Sequence, residues 1–222
     1  MFYNWFEKLH ADIQEDIHSA MTQRTLSDGE ALFRIQEASN ELYQVVTGKI
    51  KCNIYSQDGT EVVIGTLLSG ETFGEQGLID ELPRATNTYS VGDSVVNVLS
   101  KRHFFRLNHK HPEINTQLLI MFSHRMRVAF EVNTDNLTLP LHQRLARCIY
   151  RIVLNQSSKM AQNNELEITI SHADLARMVG VSRQSVSKEL KQMERDKLIC
   201  IQYGKIVINN MENLSKAYHD AN

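Results

Sequence analysis

Residues 171–193 read Ser171-His172-Ala173-Asp174-Leu175-Ala176-Arg177-Met178-Val179-Gly180-Val181-Ser182-Arg183-Gln184-Ser185-Val186-Ser187-Lys188-Glu189-Leu190-Lys191-Gln192-Met193. Two short helices and a tight turn are written into this stretch. Ser171 is a good N-cap, and Asp174 suits the positive first turn. Ala176 is small enough for two helices to approach closely. Gly180, four residues on, takes the left-handed conformation that ends the first helix. Ser182 caps the second helix, and Val186, Leu190 and Met193 form its inner face. This spacing predicts a helix-turn-helix, whose second helix enters the DNA major groove.

The outer face of that second helix carries Arg183, Gln184, Ser187, Lys188 and Lys191. Arginine donates two hydrogen bonds to guanine O6 and N7, and glutamine pairs with adenine N6 and N7. Lysine and serine, Ser182 included, suit phosphates or a further base edge. Downstream, residues 199–209 alternate as two short strands about Gly204. They predict a β-hairpin wing with Lys205 near a phosphate.

Working outward, charge divides the 222-residue chain. Residues 140–222 carry twelve Lys and Arg against eight Asp and Glu, whereas residues 1–139 carry twelve against eighteen. A basic module is thus joined to an acidic one, which suits nucleic-acid binding coupled to another task. Cys52, Cys148 and Cys200 show neither disulfide nor metal spacing, so a reduced, cytoplasmic chain is expected. There is no signal-peptide pattern and no span of membrane length. His109 and His111, two residues apart, are read as surface residues rather than metal ligands. No nucleophile–base pair or metal cluster points to an enzyme.

Trp5, Leu9, Ile13, Ile17 and Met21 recur at helical spacing and predict an amphipathic helix over 5–22. Between about 30 and 100, β-rich runs alternate with turns: 30–35, 41–47, 49–55, 61–67, 86–91 and 94–99. The segment Gln57-Asp58-Gly59-Thr60 reads as a hairpin turn. Together they predict an antiparallel barrel or roll. From about Pro112 to Leu139 the chain reads as one long helix. Ile114, Leu118, Met121, Arg125, Val128, Val132, Asp135 and Leu139 recur in steps of four and three, the pattern of a two-helix seam. Pro140 ends that helix, and a hinge is expected at 136–141.

A second constellation is Phe73-Gly74-Glu75 followed by Pro83-Arg84-Ala85-Thr86, with a short helix or turn at 76–80. A glycine lets backbone N–H groups approach an anion, arginine can clamp a phosphate, and a glutamate can accept from a ribose hydroxyl. By residue chemistry alone, a surface ion pair fits as well.

These pieces in this order resemble the CRP/FNR transcription regulators. The resemblance rests on Leu26-Ser27-Asp28-Gly29-Glu30, Leu42-Tyr43-Gln44-Val45-Val46-Thr47-Gly48 and Gly70-Glu71-Thr72-Phe73-Gly74-Glu75, then the long helix and the helix-turn-helix. It implies an α+β fold: an N-terminal antiparallel β-roll (jelly-roll-like) flanked by helices, a long dimerisation helix and a C-terminal winged helix-turn-helix. The implied domains are 1–111, a cyclic-nucleotide-binding-like effector domain, then 112–139 and 140–222. It further implies a homodimer under allosteric control on a palindromic operator in double-stranded DNA, contact with RNA polymerase, and no covalent cofactor. The implied effector is a cyclic nucleotide, with cAMP expected first, held by Gly74, Glu75 and Arg84 with Ala85 and Thr86 beside the phosphate and Phe130 and Glu131 at the base.

Three positions depart from the family pattern. Gln36 stands where a turn glycine is common. Phe130 and Glu131 stand where cAMP-responsive members place hydroxyl residues against the adenine. Gln184 stands at a base-reading position where glutamate is common. A regulator of the same build with another ligand, or constitutively active, is the first alternative. A nucleotide-sensing regulatory subunit of an enzyme is the second. Arg84→Ala is expected to lose the effector while the protein stays folded.

Overall fold

The computed structural model describes residues 3–157, 166–209 and 211–214. Among these, two compact units divide the chain between Arg125 and Met126. The division falls inside a helix, upstream of the Pro140 boundary suggested by sequence.

The first unit opens with a 3-10 turn, Phe6–Lys8, and α1, Ala11–Ser19. The helix expected over 5–22 is therefore broken at Leu9 and His10. Its apolar positions Trp5, Leu9, Ile13 and Ile17 are nevertheless all buried. The roll consists of β1 (Thr22–Leu26), β2 (Ala31–Phe33), β3 (Glu41–Tyr55), β4 (Glu61–Leu68), β5 (Thr72–Phe73) and β6 (Asn87–Ser100). All pairings are antiparallel, in the order β1-β6-β3-β4, with β2 on β6 and β5 on β3. Four of the expected strands merge pairwise into β3 and β6, which run through Gly48 and Gly92 as long strands with register shifts between β3 and β6. Two short helices complete the roll, α2 (Gln76–Ile79) and α3 (Lys101–Lys110).

The long helix α4 spans Glu113–Thr138. Its first half belongs to the core of the first unit: Ile114, Leu118 and Met121 pack with Trp5, Ile13, Ile17 and Phe104. That corrects the first half of the seam expected from the heptad pattern, while Val128, Val132 and Leu139 further along are only half-buried. Apolar residues at heptad spacing here satisfy the chain's own core, so Ile114, Leu118 and Met121 are closed to a second helix. His111 also differs from expectation. Its ring lies 2.7 Å from Asp16 Oδ2 and is mostly buried, while Lys110 bonds the same carboxylate.

The second unit continues from Met126 through the end of α4 into α5, Leu141–Ser157. A three-stranded sheet, in the order β7 (Leu166–Thr169), β9 (Lys205–Ile208), β8 (Ile199–Gln202), encloses α6 (His172–Val179) and α7 (Arg183–Arg195). Leu145, Ile149, Ile168, Leu175, Val186, Leu190, Ile199 and Ile206 are fully or almost fully buried in its core. Asp135, only 1% exposed, is paired to Arg147 and, at 2.8 Å, to Arg151. Arg144 donates to Asn136 and to the carbonyl of Val179. The end of α4 is thus fastened to α5 across Pro140, and Asp135 is engaged within its own chain.

Candidate functional site

Two sites are built by these units, each from local physics. In the first unit, Gly74 has φ +86°, in the left-handed region that favours glycine. A side chain there would sit 2.9 Å from Arg84 Nη1 and 3.2 Å from the carbonyl of Glu41. The missing Cβ makes room for Arg84, whose guanidinium donates to the carbonyls of Gly74 at 2.8 Å and Glu41 at 2.7 Å. Its carbon lies 4.1 Å from the centre of the Phe33 ring and 5.5 Å from that of Tyr43. Arg84 is 4% exposed, and burial pulls its pKa down from the usual arginine value. Arginine keeps its charge under such a shift. Carbonyl dipoles and ring faces compensate that charge here.

Glu75 is equally deep. Its Oε1 accepts from Arg125, while Oε2 is buried with no hydrogen-bond partner. A buried carboxyl oxygen left in this way is costly and marks a place for a hydrogen-bond partner. The backbone of Arg84 is fixed too: its N–H donates to Glu37 and its carbonyl accepts from Gln36. Gln36 itself sits at φ +71°, so this turn keeps a left-handed residue without the glycine. Ala85 is exposed and Thr86 half-buried at the entry to β6. Gly74, Glu75 and Arg84 are therefore brought together as the sequence suggested. Phe130 and Glu131 lie in the other unit, and Phe130 is 65% exposed on α4.

In the second unit, Ser171 and Ser182 cap their helices as expected, accepting from the N–H groups of Asp174 at 3.0 Å and Ser185 at 3.1 Å. Gly180 adopts φ 70°, ψ 40°, and the N–H groups of Gly180 and Val181 both turn back to the carbonyl of Ala176. With Leu175, Ala176 and Val179 buried against Val186 and Leu190, α7 presents one face outward. Arg183, Gln184, Ser187, Lys188 and Lys191 line an open concavity on it, together with Arg195. All but the half-buried Ser187 are exposed. A cationic face with an amide at its head can donate to phosphates and to base edges. The wing forms about Gly204, and Glu194 of α7 accepts from the N–H of Ile201 at 2.7 Å. Lys205 is held to Glu167 at 2.6 Å, so its ammonium is already partnered.

A cyclic nucleotide-binding domain model matches residues 23–111, and a Crp-like helix-turn-helix domain model matches residues 143–217. The chain belongs to the CRP/FNR family. This regulator is 26% identical over 173 residues to the cAMP-activated global transcriptional regulator CRP of Escherichia coli O6:H1, covering 78% of this chain and 81% of that one. It is 28% identical over 171 residues to the cAMP-activated regulator Vfr of Pseudomonas aeruginosa, covering 75% and 79%. Its fold matches that of the c-di-GMP responsive regulator CLP of Xanthomonas campestris, with a TM-score of 0.75, 22% identity and coverage of 90% and 100%. FixK2 of Bradyrhizobium japonicum matches at a TM-score of 0.76, 19% identity and coverage of 91% and 97%.

Sequence reading of the regulator missed several residues. Phe33, Tyr43 and the Glu41 carbonyl enclose Arg84 from strands far away in sequence, and no local spacing announces them. The heptad position of Arg125 predicts a seam residue, whereas its guanidinium donates to Glu75. Tyr203, fully exposed at the wing tip, and Arg195 were legible once a hairpin and a helix face were assumed. No helix among the described residues is long and apolar enough to cross a membrane.

Proposed function

We propose that this CRP/FNR-family DNA-binding regulator acts as a homodimer whose β-roll takes a cyclic nucleotide, cAMP first among them. Its α7 helices then read the two halves of a palindromic operator in double-stranded DNA. The observation that carries the effector reading is the buried, unpartnered Oε2 of Glu75 within the Gly74–Arg84 cradle. A ribose hydroxyl supplies the donor that oxygen lacks. The cAMP-activated relatives CRP and Vfr support the choice of nucleotide. Ala85 and Thr86 stand beside the phosphate.

The dimer contact moves to the other face of α4. Leu119, Met126, Phe130 and Leu137 are 68%, 57%, 65% and 78% exposed and recur in steps of seven, four and seven. That spacing repeats a coiled-coil seam. Phe130 then serves the dimer face, and Glu131 beside it is exposed. In DNA reading, Arg183 and Gln184 take base edges, Ser187 and Lys188 a further base or phosphate, and Ser182, Lys191 and Lys205 the backbone. Effector binding shifts the population toward the arrangement in which both α7 helices meet successive major grooves. RNA polymerase is the further partner of the bound dimer.

A second reading has one observation in its favour. Both terminal nitrogens of Arg84 already donate to carbonyls and the guanidinium lies against Phe33, so a phosphate must compete with contacts in place, and only the buried Nε is left without a partner. A regulator that responds to another ligand, or to none, fits that geometry. Calorimetry with cAMP, cGMP and c-di-GMP distinguishes the readings. Ala85→Asp places a carboxylate beside the phosphate position on an exposed residue. It is expected to weaken cAMP binding at least tenfold without loss of fold. No binding of cAMP to the parent protein overturns the first reading.

A further inference from the structure

His172, the first residue of α6, faces the reading helix. Its Nδ1 lies 3.0 Å from the hydroxyl of Ser187, on the cationic face of α7. We propose that His172 is a positioning residue that sets the hydrogen-bond polarity of Ser187, and so the kind of base edge accepted at that position. The proposal rests on the reading of α7 as the recognition helix.

A serine hydroxyl has one hydrogen to donate and two lone pairs. When Nδ1 of His172 carries no proton, Ser187 donates to it. Its lone pairs then face outward as acceptors, which suits the amino groups of adenine N6 and cytosine N4. When Nδ1 carries a proton, the ring donates to Ser187. The hydroxyl hydrogen then turns outward and suits guanine N7 and O6 or thymine O4. Addition of a proton to the neutral ring enforces the second state, because both ring nitrogens then carry hydrogen.

The charged groups around His172 favour the neutral ring in the free protein. Burial, and then the Arg183 cation on α7, lower its pKa from 6.5. Lys188 on the same helix is a further cation next to Ser187 in sequence. Asp174 of α6 is engaged with Ser171 and Arg177, and Glu167 of β7 with Lys205. On α5, Arg144 bonds Val179, while Arg147 and Arg151 hold Asp135. A DNA phosphate at Arg183 offsets that cation, so the bound complex takes up the proton more readily than the free protein.

The test is selection of duplexes from a random pool by the full chain at about pH 7.5 and about pH 5.5. With the hydrogen of the neutral His172 ring on Nε2, the parent protein is expected to prefer A or C at one position in each half-site at the higher pH. That preference shifts toward G or T at the lower pH by about fivefold, the size of one neutral hydrogen bond. Ser187→Ala is expected to lose the preference at the same position. His172→Phe is expected to lose its pH dependence, while His172→Asn keeps a fixed preference there at both pH values. Identical selected sequences for the parent and both His172 variants overturn the proposal. So does a loss spread evenly over all positions, which would make His172 a phosphate contact or a purely structural residue. If the parent selects no sequence at all, the recognition-helix reading fails as well, and the two failures are told apart.

Discussion

Gly180 ends α6 at φ 70° with no atom near the place a Cβ would take. The demand at this position is therefore conformational alone. Gly180→Ala should cost about 1–2 kcal/mol of stability in the DNA-reading unit, because an L-residue is strained there. Gly180→Asn should cost less, and urea titration of the two variants checks the order. Gly74 differs in kind, since its Cβ would meet Arg84, Tyr43 and a carbonyl as well. Arg183 is exposed at the head of α7. Arg183→Ala should weaken binding to the selected operator by about 1–3 kcal/mol and relax the preference at one base pair. Fluorescence anisotropy on single-base operator variants reads this, and an equal loss on all sequences would make Arg183 a phosphate contact. These residues were legible because capping and turn chemistry are local. The partners of Arg84 were not, because Phe33, Tyr43 and Glu41 reach it only once the strands have paired.

At the scale of elements, α4 shows where periodicity misleads. A heptad pattern records that one face is apolar, and it does not record what covers that face. Ile114, Leu118 and Met121 are covered by their own unit, and Asp135 by Arg147 and Arg151. Removing one member of such a buried set leaves unpaired charge. Asp135→Ala should therefore destabilise the second unit by about 3 kcal/mol. A fall in the urea midpoint with an unchanged slope is the expected observation. The link between α1 and the end of α3 is more exposed. Lys110, and then His111, hold the Asp16 carboxylate below its usual 3.8. A depressed folded pKa stabilises above the unfolded value and stops doing so as pH falls through the folded one. Asp16→Asn should lower the melting temperature at neutral pH, and the difference should vanish well below pH 3.8. The long strands β3 and β6 each absorbed two expected strands, because Gly48 and Gly92 read as turns. Strand pairing carries the chain straight through both.

For the whole molecule, order along the chain carried most of the information. Roll, long helix, helix pair and wing were each recognisable by texture, and their order was enough to suggest the family. The proposed dimer seam rests on the exposed surface, which no pattern of apolar residues could separate from the core. Met126→Glu with Phe130→Glu should yield a monomer by sedimentation equilibrium and weaken operator binding at least tenfold. A dimer that survives both charges would place the seam elsewhere.

Arg84 has a consequence for genetics. The same guanidinium ties two strand-end carbonyls together and roofs an aromatic cluster, so it is masonry as well as a candidate ligand clamp. The expectation that Arg84→Ala leaves the fold intact is hard to keep, because that change leaves two carbonyls without their donor and a void beneath Phe33. A screen that scores loss of regulation will recover Arg84 alleles whether or not a nucleotide ever enters the roll. The informative alleles are at exposed Ala85, where a phenotype has no scaffold to blame.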